Sequence, residues 1–340
     1  MAVFLNSISL LSSMKQNKKA VSGKKVKVVS NKWSLAERAA GFVELGRPME
    51  WSKSLLNMMI AMLMAFYVYS AGVNLWIFAA GFFSVAFLWS GLYALNDFTD
   101  WRIDFLHPVK KNRPIPSGKV SPSQGFLFSF ILIVISYFIA FGLNNLLLII
   151  CLSAMVLNQY LYTMKPFRFK SIKGLDMISG SMVNPFFRYM SGLVLFVPPA
   201  ALFLQITPIL PLLFVIGIQF SGYSLYRLFS KGHDMKVKMK STVALVPEQR
   251  VKFYSYLVIL IAGFSYMLLF INFFTFKNES LGFLPGQYLY PIALALIFLP
   301  FMKEAILDPV KANLKSQYRI LYIMTMIFIF GNFAVFLLIP

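Results

Sequence analysis

Long apolar windows follow one another through most of this 340-residue chain. They lie at about 54–73, 75–95, 124–142, 145–163, 176–198, 207–229, 252–273, 287–302 and 318–339. Most of them approach the ~20 residues that a helix needs to cross a bilayer, although the eighth is short and contains Pro291 and Pro300. This succession predicts an all-α integral membrane protein with about nine transmembrane helices.

The composition excludes several classes of protein. The chain is 59% hydrophobic and 13% charged, whereas a typical soluble domain is about 25% charged. A cytosolic enzyme and an intrinsically disordered chain are therefore ruled out. Cys151 is the only cysteine, which rules out an intrachain disulfide, and the chain has only two histidines. We therefore expect no metal site built from His and Cys.

The positive charges alternate with the apolar windows. Thirty of the 32 Lys and Arg residues fall within 1–53, 97–123, 164–174, 227–252 and 303–319, which lie on one side if nine windows cross. The opposite loops carry only Lys277, and Arg188 lies inside the fifth window. Because inside loops are enriched in Lys and Arg, the N-terminus and these loops are predicted inside (cytoplasmic, if this is a plasma membrane) and the C-terminus outside. The same distribution explains the net charge of +20 without nucleic acid as a partner.

Residues 1–43 are predicted to form a basic, flexible tail ahead of one polytopic membrane domain, 44–340. No acidic residue precedes Glu37, and residues 15–27 contain six lysines. We interpret this segment as a tail that lies on an anionic membrane surface. The alternative is a transit peptide, although those are rich in arginine and this segment is rich in lysine.

Three of the six aspartates, Asp97, Asp100 and Asp104, come just after the second window. If that helix continues, Asn96, Asp100 and Asp104 lie four residues apart and share one face. Mg²⁺ prefers oxygen ligands and usually binds one or two carboxylates together with substrate phosphates. The alternative is a solvated acidic stretch neutralised by Arg102, Lys110 and Lys111, and the spacing alone does not decide between the two.

The next loop is rich in proline and in cations. Residues 107–119 read HPVKKNRPIPSGK, and the prolines exclude a plain helix. Lys110 and Arg113 can bind phosphate oxygens beside a Mg²⁺ ion that the acids hold. The adjacent acids and cations therefore indicate a diphosphate site on the inside face.

The sequence NDFTDWRID at 96–104, followed by RPIPSGKV at 113–120, resembles the first signature of the UbiA-type intramembrane prenyltransferase superfamily, NDxxDxxxD with a downstream RPIxxG. The number of windows and the place of the motif after the second window agree with the nine-helix plan of that family. The resemblance covers nearly the whole chain after Glu44. It implies a UbiA-like helix bundle with a polar cap on the inside face, Mg²⁺ as the cofactor and a prenyl diphosphate donor.

Residues 226–242 resemble the second acidic motif of the family in Asp234 and in the Lys-Ser-Thr ending. The family has another aspartate four residues upstream, where this chain has Ser230. A hydroxyl group is a poorer Mg²⁺ ligand than a carboxylate, so this departure weakens the case for a complete second metal site. His233 is expected to be a surface neighbour, because Mg²⁺ prefers oxygen.

A third inside loop, residues 160–170, places two tyrosines beside three cations. It resembles the tyrosine-containing loop between the fourth and fifth helices of the family. On that pattern we assign functional roles to Tyr162, Lys165 and Arg168. We interpret Tyr160 and Lys170 as interfacial residues that belong to an aromatic belt and to the positive-inside charge.

Three further charged residues need an interpretation. Arg47, in Gly46-Arg47-Pro48, matches a basic position of the family that contacts the diphosphate. Asp176 and Arg188 lie in or beside the fifth window, where ionisable groups are costly. They are about three helical turns apart, too far to pair directly on one straight helix. Either residue could line an acceptor pocket, and Asp176 could instead mark a helix start, so we assign neither.

The resemblance implies a complete set of roles. The metal ligands would be Asn96, Asp97, Asp100, Asp104 and Asp234. The diphosphate would be bound by Arg47, Lys110, Arg113, Lys165, Arg168 and Lys231. Asp100, Asp104 and Tyr162 would be catalytic, with the tyrosine ring facing the positive charge that develops on the allylic chain. The acceptor would be a hydrophobic or aromatic molecule among the membrane lipids.

Two alternatives stay open. The segments HPVKKNRPI and RPMEWSK also resemble the branch that transfers phosphoribose from phosphoribosyl diphosphate to polyprenyl phosphate, whereas FRFKSIKGLD resembles branches that prenylate carotenoids or tetrapyrroles. The second alternative is a transporter or a non-enzymatic membrane protein. A transporter should show inverted repeats with broken helices in corresponding halves, and the sequence shows no such pairing.

Overall fold

The computed structural model describes residues 33–338, apart from 107–108, 203, 206, 237–238, 272–274, 277–278, 281–283 and 309–311. Three parts of the sequence discussed above lie outside the described residues: most of the predicted N-terminal tail, the first two residues of the HPVKKNRPI segment, and Lys277.

The described chain is almost entirely helical. Its α-helices, in chain order, are α1 (Leu35–Gly46), α2 (Trp51–Tyr67), α3 (Leu75–Asp104), α4 (Pro122–Gly142), α5 (Leu146–Thr163), α6 (Leu175–Ser181), α7 (Val183–Leu193), α8 (Ile209–Phe229), α9 (Lys231–Lys236), α10 (Thr242–Leu245), α11 (Glu248–Met267), α12 (Leu289–Leu296), α13 (Lys303–Leu307) and α14 (Leu314–Leu338). Between α11 and α12, a small antiparallel hairpin pairs β1 (Thr275–Phe276) with β2 (Glu279–Ser280).

Six helices among the described residues are long and apolar enough to cross a membrane: α3, α4, α5, α8, α11 and α14. A seventh span is present if residues 286–296 and 299–307, bent by 48°, cross together. The protein is therefore a multi-pass integral membrane protein, and the predicted all-α class is confirmed. The predicted count of nine is not confirmed, because α2 has only 17 residues and the fifth window is divided between α6 and α7.

The division between α6 and α7 falls at Met182. Pro185 lies in the first turn of α7 and has no N–H group with which to continue the helical hydrogen bonds. The carbonyl oxygen of Ser179, which would accept from the N–H of residue 183 in a continuous helix, is bonded by side-chain amides, from Asn158 Nδ2 at 2.9 Å and from Asn184 Nδ2 at 3.2 Å. Two asparagines thus satisfy a backbone group that the helix break would otherwise leave unpaired inside the bundle.

Helix α2 is the most enclosed part of the bundle. Every residue from Met58 to Ala65 is at most 1% exposed, and a helix that is apolar on all sides is suited to such a central place. Helix α7 crosses α2 at Gly192, where an added Cβ atom would lie 2.6 Å from the Cα atom of Met58. The two backbones can approach this closely only because residue 192 has no side chain.

Helix α1 begins inside the segment predicted as a flexible tail. Ser34 caps the helix in a capping box. Its hydroxyl group accepts a hydrogen bond from the backbone N–H of Glu37, and the Glu37 carboxylate accepts one from the backbone N–H of Ser34. This arrangement stabilises the start of a helix. Leu45 packs with Ala94 of α3 and Ile115 of the following loop. Because α1 ends at residue 46, this packing fixes the position of Arg47 at the end of the bundle where α3 finishes.

The close crossing of α2 and α7 leads to a first prediction. Gly192→Ala should destabilise the protein by about 1–3 kcal/mol, because the new methyl group would collide with the α2 backbone. Gly222→Ala, on α8, is the matched control, since no atom lies within 4 Å of its added Cβ. Thermal unfolding in detergent should show a lower Tm for the first variant only. Equal Tm values would mean that the crossing is not tight.

Candidate active site

Three of the four acidic residues predicted to bind metal lie on the last two turns of α3, which continues without a break to Asp104. Because the helix continues, Asn96, Asp100 and Asp104 lie on one face of it, as the spacing predicts. Asp97 and Asp104 are 2% and 3% exposed, so they do not form a solvated acidic stretch. Of the cations that the alternative named, Arg102 is exposed and lies over the ring of Trp101.

Two arginines neutralise Asp97 and Asp104. Arg47 Nη2 lies 2.6 Å from Asp97 Oδ1, and Arg113 Nη1 lies 3.1 Å from the same oxygen. Arg113 also donates to Asp104 Oδ2 at 2.8 Å, and the Lys110 ammonium group lies 3.9 Å from Asp104 Oδ1. Buried carboxylates are tolerated only when cations and hydrogen bonds compensate for the lost hydration. The segment between α3 and α4 is thus tied to the helix that precedes it.

Asp100 is neutralised by the loop between α5 and α6. Lys170 Nζ lies 2.7 Å and 2.6 Å from its two carboxylate oxygens, and Arg168 Nη2 lies 3.3 Å from Oδ1. The Lys170 ammonium group also donates to Thr163 Oγ1 at 2.8 Å and lies 3.5 Å from Asn96 Oδ1. Burial lowers the pKa of Lys170, and the charge of Asp100 opposes that shift.

Lys170 is the residue that the sequence interpretation missed. It was assigned to the membrane interface, but its side chain is buried against Asp100. Lys165, which was assigned to the diphosphate, is exposed, and no contact with an α3 aspartate is observed for it in the described chain. The short helical turn Phe169–Ser171 turns Lys170 inwards, and nothing in the sequence distinguishes the two lysines.

Two of the cations at the site have unusual backbone conformations. Arg47 has φ of 50° and Arg168 has φ of 40°, in the left-handed region that residues with a side chain rarely adopt. Only Ser70 and Asn144 share a positive φ among the described non-glycine residues. Such strained residues are concentrated at functional sites, where the surrounding structure holds them in place.

Tyr162 lies beside Lys170 at the end of α5. The Lys170 ammonium group is 5.9 Å from the centre of the Tyr162 ring, so the ring faces a positive charge. The hydroxyl groups of Tyr162 and Tyr223, the latter on α8, share a hydrogen bond of 2.7 Å. Tyr160, by contrast, packs its ring at 6.5 Å from Phe167. The structure therefore brings Tyr162 to the site from the helix opposite α3.

The second acidic motif has partners of its own. Asp234 is 3% exposed and accepts hydrogen bonds from Arg227 Nη2 at 2.6 Å and from Ser241 Oγ at 2.7 Å. Ser230, at the position of the family's additional aspartate, is also buried. The Asp234 carboxylate is thus occupied within its own segment, and it ties the end of α8 to the loop before α10.

Lys231 also has its hydrogen-bond partner away from the aspartates of α3. Its ammonium group donates to the carbonyl oxygen of Val246 at 3.2 Å. The structure therefore gathers four of the six predicted diphosphate-binding residues around the aspartates of α3: Arg47, Lys110, Arg113 and Arg168.

The loop after α5 and the loop before α10 also contact each other directly. Ile172 and Lys240 form an isolated parallel β-bridge, and the backbone N–H of Gly174 donates to Thr242 Oγ1 at 2.8 Å. Asp176 accepts hydrogen bonds from the backbone N–H of Thr242 at 2.9 Å and from its hydroxyl group. Asp176 therefore joins the start of α6 to the loop before α10. These hydrogen bonds explain why its carboxylate is buried, and no role in an acceptor pocket is needed to explain it.

Arg188 lies within the bundle, below the aspartates. It is 3% exposed, and its guanidinium carbon lies 3.9 Å from the centre of the Trp89 ring. It donates to Gln219 Oε1 at 3.3 Å and to the Tyr93 hydroxyl group at 3.5 Å. Arg47 lies over the same Tyr93 ring at 5.1 Å. Polar contacts thus lead from the acidic cluster into the apolar bundle.

The donor set suits a Mg²⁺ ion only in combination with further oxygens. The Asn96 amide oxygen and the Asp100 carboxylate converge on one positive charge, the Lys170 ammonium group. Such oxygens are the ligands that Mg²⁺ prefers. Among the described residues, no group of three or more His, Cys, Asp and Glu side chains could hold a metal. A metal bound here would therefore need oxygens from a substrate or from water.

Comparison with known proteins assigns the chain to a family. Residues 57–304 match the model of the UbiA prenyltransferase family. The chain belongs to that family. The match includes the NDFTDWRID segment and the second acidic motif, so the resemblance that those residues suggested is confirmed.

The individual relatives of this UbiA-family chain match it only in part. It is 34% identical over 113 residues to the digeranylgeranylglyceryl phosphate synthase of Methanosarcina mazei, covering 33% of this chain and 35% of that protein. It is 35% identical over 89 residues to the protoheme IX farnesyltransferase 2 of Pseudoalteromonas atlantica, covering 26% and 29%. The chain thus spans about a third of the length of these curated relatives.

A solved structure shows the shared fold over almost the whole molecule. The UbiA homologue from Archaeoglobus fulgidus bound to GPP and Mg²⁺ superposes with a TM-score of 0.63 at 18% identity. The match covers 87% of this chain and 99% of that chain. The expected UbiA-like helix bundle is therefore confirmed.

The bridging role of Arg113 gives a second prediction. Arg113→Met should lower the Tm in detergent, because removing one partner of a buried ion pair costs about 3–5 kcal/mol and Arg113 is only partly buried, which reduces that figure. Arg102→Met is the control, since an exposed substitution usually changes stability by less than about 0.5 kcal/mol. Adding Asp104→Asn to Arg113→Met should restore part of the loss. Equal Tm values for the two single variants would contradict the bridge.

Proposed function

We propose that the protein is a Mg²⁺-dependent prenyltransferase. It transfers an isoprenoid chain from a prenyl diphosphate to a lipophilic or aromatic acceptor within the membrane and releases diphosphate. The observation that carries this proposal is the row of aspartates on α3, which meets cations from three separate segments at one end of an apolar bundle. A site of this composition suits an anionic group attached to a hydrocarbon chain.

The residues divide into those that hold the metal and those that bind the diphosphate. Asn96 and Asp100 would hold Mg²⁺, and Asp97 and Asp104 would contribute through their neighbouring charges. When bound, Mg²⁺ would neutralise negative charge on the diphosphate oxygens. The cations that would contact those oxygens are Arg47, Lys110, Arg113, Arg168 and Lys170.

These cations have a direct effect on the reaction. As the bond between the allylic carbon and the diphosphate oxygen lengthens, negative charge accumulates on the leaving group. Fixed positive charges stabilise that charge more in the transition state than in the ground state, which lowers the barrier. The Tyr162 ring, beside the same cluster, stabilises the positive charge that develops on the allylic carbon.

We do not extend these roles to the remaining candidates. Lys165 is exposed, Lys231 bonds a backbone carbonyl, and Asp234 is paired with Arg227 and Ser241. The proposed site is therefore built around the first acidic motif alone.

The relatives support the choice of donor and cofactor. Those that match in sequence are named as a digeranylgeranylglyceryl phosphate synthase and a protoheme IX farnesyltransferase. The Archaeoglobus fulgidus homologue was solved with GPP and Mg²⁺. On the charge pattern we further propose that the N-terminus and the site loops face the inside, the C-terminus faces the outside, and residues 44–340 form the catalytic domain behind a basic tail.

The test is a donor assay on membranes that contain the full chain, with a native lipid extract as the source of acceptor. Labelled prenyl diphosphates and labelled phosphoribosyl diphosphate are supplied separately, with Mg²⁺ or with EDTA. We expect label in lipid from a prenyl diphosphate only with Mg²⁺. Asp100→Asn should reduce it by about 100-fold or more, the scale of losing one electrostatic contact to the transition state.

Glu44→Gln is the matched control, because this carboxylate lies at the same end of the molecule but is half exposed and pairs with Lys119. It should retain full transfer. Label from phosphoribosyl diphosphate alone would replace the proposal with the phosphoribosyltransferase alternative. Label from neither donor would contradict both.

A further inference from the structure

The ammonium group of Lys170 occupies a cage of four oxygens. Two are the carboxylate oxygens of Asp100 at 2.7 Å and 2.6 Å, one is Thr163 Oγ1 at 2.8 Å, and one is Asn96 Oδ1 at 3.5 Å. The cage belongs to α3 and α5, and its lysine comes from the loop after α5. Asn96 and Asp100 are also the residues that the proposed function assigns to Mg²⁺, on which this inference rests.

The cage is built independently of the lysine. Thr163 Oγ1 donates to Asn96 Oδ1 at 3.2 Å, and the hydroxyl groups of Thr163 and Thr99 are 2.6 Å apart. These bonds fix the end of α5 against α3. The Asn96 and Thr163 oxygens therefore stay together whichever cation lies beside them, and Asp100 is one helical turn from Asn96 on α3.

Lys170 and Mg²⁺ cannot both use Asp100 in this arrangement. Mg²⁺ binds oxygens at about 2.0–2.1 Å, and the ammonium group already contacts both oxygens of the carboxylate. Two positive charges about 4 Å apart in a partly buried site repel each other by several kcal/mol at an effective dielectric constant near 20. Metal binding must therefore displace Lys170.

We propose that Lys170 is a displaceable counter-ion: its ammonium group holds the Asn96–Asp100 cage in the unloaded protein, and it moves onto the diphosphate when Mg²⁺ arrives with the donor. In the loaded protein, an ion pair between Lys170 and the diphosphate replaces the ion pair between Lys170 and Asp100. Free Mg²⁺ offers no such compensation. The metal and the diphosphate therefore bind with positive coupling, and each strengthens the affinity of the other.

The test measures metal binding without turnover. Mn²⁺ replaces Mg²⁺ as the probe, the full-length protein is held in detergent, and equilibrium dialysis counts only the metal retained with the protein, with and without inorganic diphosphate. The wild type should bind Mn²⁺ weakly alone and about tenfold or more tightly with diphosphate, within the usual range of coupling between sites.

Lys170→Met and Lys170→Gln both remove the competing charge. We expect each to bind Mn²⁺ alone about tenfold more tightly than the wild type does, and to lose most of the gain from diphosphate. Lys170→Arg, which keeps a cation, should remain weak. Lys173→Met, at an exposed lysine of the same loop, is the matched control and should titrate as the wild type does.

The outcomes separate this inference from the proposed function. If Asp100→Asn binds Mn²⁺ as well as the wild type does in the presence of diphosphate, the metal site itself is wrong. If Asp100→Asn abolishes binding but neither neutral Lys170 variant differs from Lys173→Met, the site is right and the counter-ion role is refuted. A lower Tm for the Lys170 variants with unchanged Mn²⁺ affinity would assign the lysine a purely structural role.

Discussion

One end of this helix bundle is organised by the need to neutralise three carboxylates on the last turns of one membrane helix. Asp97 is paired with Arg47 from the α1–α2 junction, Asp104 with Arg113 from the next loop, and Asp100 with Lys170 from the loop after α5. A buried carboxylate without a cation is too costly to be retained. Each pair therefore fixes a separate segment of chain against α3.

The balance of charge in this cluster also favours an anionic ligand. The three aspartates are surrounded by Arg47, Arg113, Arg168 and Lys170, with Lys110 slightly further away. The cations outnumber the carboxylates, so the cluster retains positive charge after all the observed pairs are made. A diphosphate would neutralise that excess, and its oxygens would complete a metal site that the protein's own side chains leave incomplete.

The features that the sequence could predict are those that depend on local patterns of residues. The length of the apolar windows and the one-sided distribution of Lys and Arg indicate a membrane bundle and its inner face, and the four-residue spacing of Asn96, Asp100 and Asp104 holds because α3 continues. Span number could not be predicted in the same way, since a break such as the one at Met182 depends on neighbouring asparagines. The sequence also could not predict which of Lys165 and Lys170 contacts the aspartates. The charge of a lysine indicates the side of the membrane on which its loop lies, but it does not indicate the direction of the side chain.

The second acidic motif shows why a family pattern must be tested residue by residue. Asp234 matches the family, but its carboxylate is bonded by Arg227 and Ser241 and serves to join α8 to the next loop. An aspartate at position 230 would supply a second carboxylate between Arg227 and Lys231 in the sequence. With Ser230 in that place, Arg227 and Asp234 form a neutral pair and require no metal. The departure at residue 230 and the pairing of Asp234 therefore fit together: Asp234 is neutralised within its own segment, and the proposed chemistry rests on the aspartates of α3.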